Sequence, residues 1–241
     1  MTRRWRLFGL LALIYILAYF YRISLAVSAK DVAADLRLSA AQLGTLSGVF
    51  FYVYALAQIP LGPLIDCFGG RLVLSCFGVI TACGGILFPL SQSYGAALAG
   101  RVLIGVGTSC VLMASLKIFT RWFSRGEFAR VSGMMVAMGN LGNMGATLPL
   151  AAAIAAWGWR RSLLAVGLLQ GAVTLLVFLR VRDLPPGEEY AGAGEGEGPG
   201  LLAAWGTIFR DRSFLLLALL SFFWYGNYMV LQGLWGGPYL M

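Results

Sequence analysis

Two arginines stand where an apolar chain tolerates charge least. Arg22 lies in Tyr19-Phe20-Tyr21-Arg22-Ile23-Ser24, and Arg101 opens Arg101-Val-Leu-Ile-Gly105-Val-Gly107. A guanidinium is always charged and presents a planar fork of donors that fits a carboxylate or phosphate with paired hydrogen bonds. Charge in hydrocarbon is expensive, so each arginine must face protein, water or a bound anion. Arg22 therefore reads as an anion ligand or as a side chain that snorkels to the surface. Arg101 must find a partner inside the protein.

The absences narrow the chemistry further. There is no histidine, which removes a Ser-His-Asp triad and histidine metal sites. No Asp or Glu falls inside an apolar run, so paired-carboxylate catalysis and a carboxylate proton carrier are missing from this stretch. A Ser-Lys dyad needs a lysine at depth, and Lys117 lies near the end of its run. The cysteines, Cys67, Cys76, Cys83 and Cys110, form no CxxC pair. The expectation is a protein that is not an enzyme and holds neither metal nor cofactor.

The elements that carry these residues follow from composition. Of 241 residues 59% are hydrophobic and 12% charged, where a soluble domain carries about 25% charged. Runs near the ~20 residues a bilayer requires predict an all-α membrane protein with about seven spans. They fall at about 7–29, 40–64, 72–91, 96–119, 129–155, 160–181 and 213–236. The first run is too long for a signal peptide and contains Arg22. Residues 182–200 are rich in Pro, Gly and Glu and read as a flexible linker, followed by a short surface helix over 201–212. In the fifth run, Gly139, Gly142 and Gly145 recur every third residue and line one face, which suits close helix contact; Asn140 and Asn143 flank that stripe.

The formal charge is +8, but the basic residues gather at span ends, which is a topogenic pattern and excludes a nucleic-acid reading. With the N-terminus inside, Arg3, Arg4, Arg6, Arg71, Lys117, Arg121, Arg125, Arg130, Arg180, Arg182, Arg210 and Arg212 share the inner side. Lys30, Arg37, Arg160 and Arg161 remain outside. The expectation is an inner or plasma membrane protein with a cytoplasmic N-terminus.

The turn after the second run reads Gly62-Pro-Leu-Ile-Asp66-Cys67-Phe68-Gly69-Gly70-Arg71. It resembles the major facilitator superfamily, whose turn between spans 2 and 3 carries G-x-x-x-D-[RK]-x-G-[RK]-[RK]. Gly62, Asp66, Gly69 and Arg71 match; Cys67 and Gly70 each stand where a basic residue is usual. Arg101, Gly105 and Gly107 resemble the family's span 4 motif R-x-x-x-G-x-G. The resemblance implies a six-helix bundle over 1–181, a cytoplasmic linker over 182–212 and the start of a second half over 213–241. It implies that Asp66 latches the turn against a helix of that second half, and that Arg101 serves proton coupling or structural pairing.

The Arg22 segment is similar to the organic anion symporters of the superfamily, with Tyr21 where many of them hold an acidic residue. Tyr52, Gln58 and Asn140 are further polar candidates for a substrate path. Span 7 commonly lines that path in the family, which adds Tyr225, Asn227 and Gln232. The implied activity is alternating-access transport of a small solute, an organic anion being one option, with a proton or another ion as possible companion. The implied partners are the bilayer and a missing second half or second chain. A non-transporting sensor or half-size interaction protein is the alternative.

Overall fold

The computed structural model describes residues 3–185 and 210–230, with side chains to 227. Every regular element among them is a helix: α1 (Arg3–Leu36), α2 (Ala40–Gln58), α3 (Leu61–Phe68), α4 (Gly70–Leu90), α5 (Tyr94–Thr108), α6 (Val111–Trp122), α7 (Arg125–Gly145), α8 (Leu148–Arg180) and α9 (Arg212–Val230). The chain divides into two compact units, Met1–Glu189 and Tyr190–Met241. The expected surface helix and most of the linker lie outside the described residues, as does the end of span 7.

Several helices are fragments of one membrane passage. Pro60 lacks an N–H, so the second run bends there into α2 and α3, and helix persists to Phe68 rather than ending near 64. The fourth run bends at Ser109 and Cys110. There Thr108 and Ser109 donate their hydroxyls back to the Ile104 and Val106 carbonyls, a pattern that bends helices. α7 and the first part of α8 make the fifth passage. The chain then reverses at Gly158 (φ 79°, ψ 158°), in the expected Trp157–Arg161 turn. Gly69, between α3 and α4, has the same left-handed extended backbone (φ 81°, ψ 157°), which favours glycine.

Polar side chains cap α2, α5 and α7. Ser39 and Gln42 form a reciprocal capping box on α2, and Ser124 and Glu127 form another on α7. The α1 helix has 34 residues, roughly 50 Å at 1.5 Å per residue. That exceeds the ~30 Å hydrocarbon layer, so its charged ends project beyond it.

In the first unit α4 packs against α5 and α8, and α1 against α7, α8 and α2. Two apolar clusters stack along the bundle. One, at the Arg4 end, gathers Leu11, Ile65, Leu74, Ile118, Phe119, Met135 and Val177. The other, toward Arg160, gathers Tyr21, Leu25, Leu46, Phe50, Phe88, Ile104 and Leu163.

The α4–α8 pair is quasi-symmetric. Gly69, Arg71, Leu74 and Gly78 recur in the same spacing as Gly158, Arg160, Leu163 and Gly167. Gly78 abuts the Thr174 side chain, and Gly85 abuts Gly167 with backbone against backbone. Between membrane helices it is such close approach, more than burial of apolar area, that holds the pair.

The second unit contributes α9. Asp211 Oδ1 accepts from the Ser213 N–H at 2.8 Å and caps it. Its described side chains are exposed, including Leu217, Phe222 and Trp224.

Candidate functional site

Arg22 is half-buried on α1. Its guanidinium carbon lies 4.5 Å from the centroid of Tyr19 and 5.4 Å from that of Tyr54 on α2. The Tyr15 hydroxyl bonds the Tyr19 hydroxyl at 3.0 Å, and Tyr54 stacks on Phe50. The result is a guanidinium set among aromatic faces, a geometry that favours a cation. α7 closes one side: a Cβ at Gly142 would overlap the Ile16 carbonyl oxygen, and one at Gly139 would lie 2.8 Å from the Tyr15 ring. The glycine stripe thus seats α7 against the tyrosine-bearing face of α1.

Arg101 is 1% exposed, the largest fully buried side chain. Its Nε donates to the Leu46 carbonyl at 3.3 Å and its Nη1 to the Tyr21 carbonyl at 3.2 Å. Its plane lies 4.8 Å from the Phe50 centroid. One side chain therefore joins α5 to α1 and α2 through backbone oxygens, with no carboxylate in the set. The glycines downstream make room for this. A Cβ at Gly105 would meet the Phe50 carbonyl oxygen at 2.8 Å on α2, and one at Gly107 would collide with Thr81 on α4. The two glycines of the motif let α5 wedge between two neighbours.

In the turn, Asp66 accepts a hydrogen bond from Lys117 Nζ on α6 at 2.6 Å. The missing basic residue at position 70 has a steric reason. A Cβ at Gly70 would lie 2.8 Å from Ile118 and 3.0 Å from the Ala114 carbonyl oxygen, so no longer side chain fits. The cation beside Asp66 comes from the facing helix instead. Arg71 turns toward the end of α8: its backbone N–H donates to Asp183 Oδ1 at 2.8 Å and its Nε to the Phe178 carbonyl at 3.0 Å. Asp183, within the expected linker, is thus hydrogen-bonded into the bundle and supplies an acceptor to the N-terminus of α4. A Cβ at Gly69 would lie 2.8 Å from the same carboxylate. Gly62 has open space around it, so packing within this bundle does not require glycine there.

The other expected residues are dispersed. Tyr52 is 75% exposed, on a different face of α2 from Tyr54. Gln58 is half-buried and Asn140 exposed. Asn143 instead is buried, and its Oδ1 lacks a hydrogen-bond partner among the described residues. Tyr225 and Asn227 belong to the second unit, where Asn227 Nδ2 donates to the Phe223 carbonyl at 2.8 Å. Gln232 lies outside the described residues.

Two ion pairs escape a reading of sequence alone. At the far end, Arg160 Nε donates to Asp35 Oδ2 at 2.8 Å while Nη1 reaches the Pro89 and Ser91 carbonyls at 2.6 Å. Trp159 Nε1 donates to the same Asp35 oxygen. The Arg160 hydrogen bond holds the Asp35 carboxyl below the usual carboxylate range, with Trp159 adding to it. At the near end Arg4 bonds both oxygens of Glu127. The Glu127 carboxyl is also lowered, first by its bond from the Ser124 backbone N–H. The available signal was an acid at the end of one run and an arginine opening another.

Comparison with known proteins agrees with this architecture. A probable sulfoacetate transporter from Cupriavidus necator is 28% identical over 76% of this chain and 42% of its own length. A probable L-galactonate transporter from Escherichia coli is 28% identical over 82% of this chain and 46% of its own. The chain thus spans a little under half the length of these relatives. A bacterial homologue of the human lysosomal transporter Spinster, in an inward-facing unoccupied conformation, superposes with a TM-score of 0.76 at 22% identity, covering 96% of this chain and 55% of that one. Residues 11–236 match the Major Facilitator Superfamily profile, and with its helical bundle and membrane-length apolar helices the chain belongs to that superfamily.

Proposed function

We propose that this chain forms the first bundle, and the beginning of a second, of a secondary transporter that moves a small organic anion by alternating access. The observation that carries the anion preference is Arg22, set against Tyr19 and Tyr54 on two helices. Two relatives are named for sulfoacetate and L-galactonate, both carboxylates, and a guanidinium takes a carboxylate with paired bonds.

Arg101 holds α1, α2 and α5 together and acts as a structural pin beside the site. Gly62, Asp66, Gly69 and Arg71 form the near-end turn that works against a second bundle, supplied by further chain or by another copy. Tyr225, Asn227 and Gln232 are further candidates for substrate contact, as the family resemblance implies. Proton coupling, where it occurs, draws on groups outside this bundle's spans; otherwise transport is uniport or exchange. The N-terminus is cytoplasmic and the membrane is the inner or plasma membrane, as the arrangement of lysine and arginine implies.

The test is tryptophan fluorescence of the purified protein titrated with galactonate, sulfoacetate and a neutral sugar. The anions should quench and the sugar should not. Arg22→Gln should weaken anion binding about tenfold or more, the scale of a lost charge-assisted hydrogen bond. Unchanged anion binding by Arg22→Gln would sink the reading.

A further inference from the structure

An open cleft of about 420 Å³ lies at the Arg4 end, lined by Lys117, Thr120, Arg121, Phe123, Arg125 and Phe128. It surrounds the short connection from α6 to α7. Three cations line it and no acidic side chain does. Two carboxylates of the same end are engaged: Asp66 bonds Lys117, and Glu127 is held by Ser124 and Arg4. Arg121 and Arg125 are exposed, and neither forms an ion pair among the described residues. The apolar wall is firm. Phe123 is buried, packed edge-on against Trp5 and Phe119 with the Arg4 guanidinium over its ring.

A cationic rim over aromatic rings, where two membrane helices meet the surface, fits an amphiphile better than a free anion. A free anion has no use for Phe123 and Phe128. The excess of lysine and arginine at this end is the pattern that faces a cytoplasmic leaflet, where anionic lipids concentrate. We propose that this cleft binds the headgroup of an anionic phospholipid. Arg121 and Arg125 grip its phosphate, and Phe128, backed by the buried Phe123, packs against the glycerol and first acyl methylenes.

Native mass spectrometry of the full chain tests this with phosphatidylglycerol and phosphatidylcholine as probes. Phosphatidylglycerol should bind about tenfold more tightly, the preference two surface arginines can supply. The double variant Arg121→Gln with Arg125→Gln should lose that preference. Arg161→Gln, at the opposite end, should keep it and controls for general loss of charge. Millimolar inorganic phosphate should leave the lipid adduct in place. A preference that survives the double variant, or an adduct displaced by phosphate alone, overturns the proposal. The readout needs no transported solute, so it stands or falls separately from the transport reading.

Discussion

Arg71 and Arg160 perform the same operation at opposite ends of one helix pair. Each lies two residues past a glycine with φ near +80° and reaches across to the closing turn of the other helix. Arg71 donates to the Phe178 carbonyl at the end of α8. Arg160 donates to the Pro89 and Ser91 carbonyls at the end of α4. The orphan carbonyls of a helix C-terminus need donors, and here each helix is capped by an arginine that opens its partner. The contacts between them, Gly78 with Thr174 and Gly85 with Gly167, obey the same exchange. An internal inverted repeat of this sort is a recurring device of transporter bundles.

The two turn glycines should respond differently to alanine. Gly158 has open space around a Cβ, so Gly158→Ala meets only the positive-φ extended backbone, at about 1–3 kcal/mol. Gly69→Ala carries the same backbone penalty and also pushes a methyl toward the Asp183 carboxylate. Unfolding in detergent should rank Gly69→Ala as the less stable, and the gap should narrow in an Asp183→Ala background.

Replacing Arg101 should destabilise the bundle strongly. Arg101→Met keeps much of the stem but removes the bonds that a charged donor makes to the Leu46 and Tyr21 carbonyls, each worth about 1.5–3 kcal/mol. A drop in Tm of several degrees is expected, together with faster proteolysis. A variant as stable as the parent would show that these bonds do no more than offset the cost of burying the charge.

The Asp35–Arg160 contact makes a signed pH prediction. The Asp35 carboxyl is held below its unfolded value by Arg160. Its contribution is therefore fully present above the ordinary carboxylate range and is lost as pH falls through the lower folded value. The pair is largely exposed, so the effect is modest. Melting from pH 7 down to pH 3 should show a loss in the parent that is smaller in Asp35→Asn.

Position 70 allows the family pattern to be restored and its failure observed. Gly70→Lys should destabilise by about 1–3 kcal/mol through overpacking against Ile118 and Ala114. Lys117→Met removes the cation beside Asp66 from an exposed pair and should change stability by less than about 1 kcal/mol. Thermal unfolding of the two variants side by side checks both statements.

Much of this was legible in the chain. The apolar runs located the passages, and the chain reverses at Gly69 and Gly158, within the stretches 66–71 and 157–161 that glycine and arginine announced, although helix continues to Phe68. The Gly-x-Arg-x-x-Leu-x-x-x-Gly spacing that begins at both Gly69 and Gly158 was open to a search for internal repeats. Gly70 was legible only as a missing cation; its steric reason lies on α6, far along the chain. Asp183 looked like linker because the composition around it is Pro and Gly rich, yet it bonds Arg71, 112 residues away along the chain. Tyr52 was the tyrosine of its run expected to line a substrate path, and only packing put Tyr54 beside Arg22 instead.

The sequence by itself determined the class of solvent, the all-helical architecture and the family. Lipid imposes one local rule, that each spanning segment satisfy its own backbone and show apolar side chains for about 20 residues. Only the tertiary structure decided which polar group meets which: Arg101 with two carbonyls, Asp66 with Lys117, Arg160 with Asp35. A helix in lipid can be apolar on every side, so no hydrophobic stripe marks the face that packs. Association there rests on glycine contacts and single hydrogen bonds between distant segments, and no local period records those.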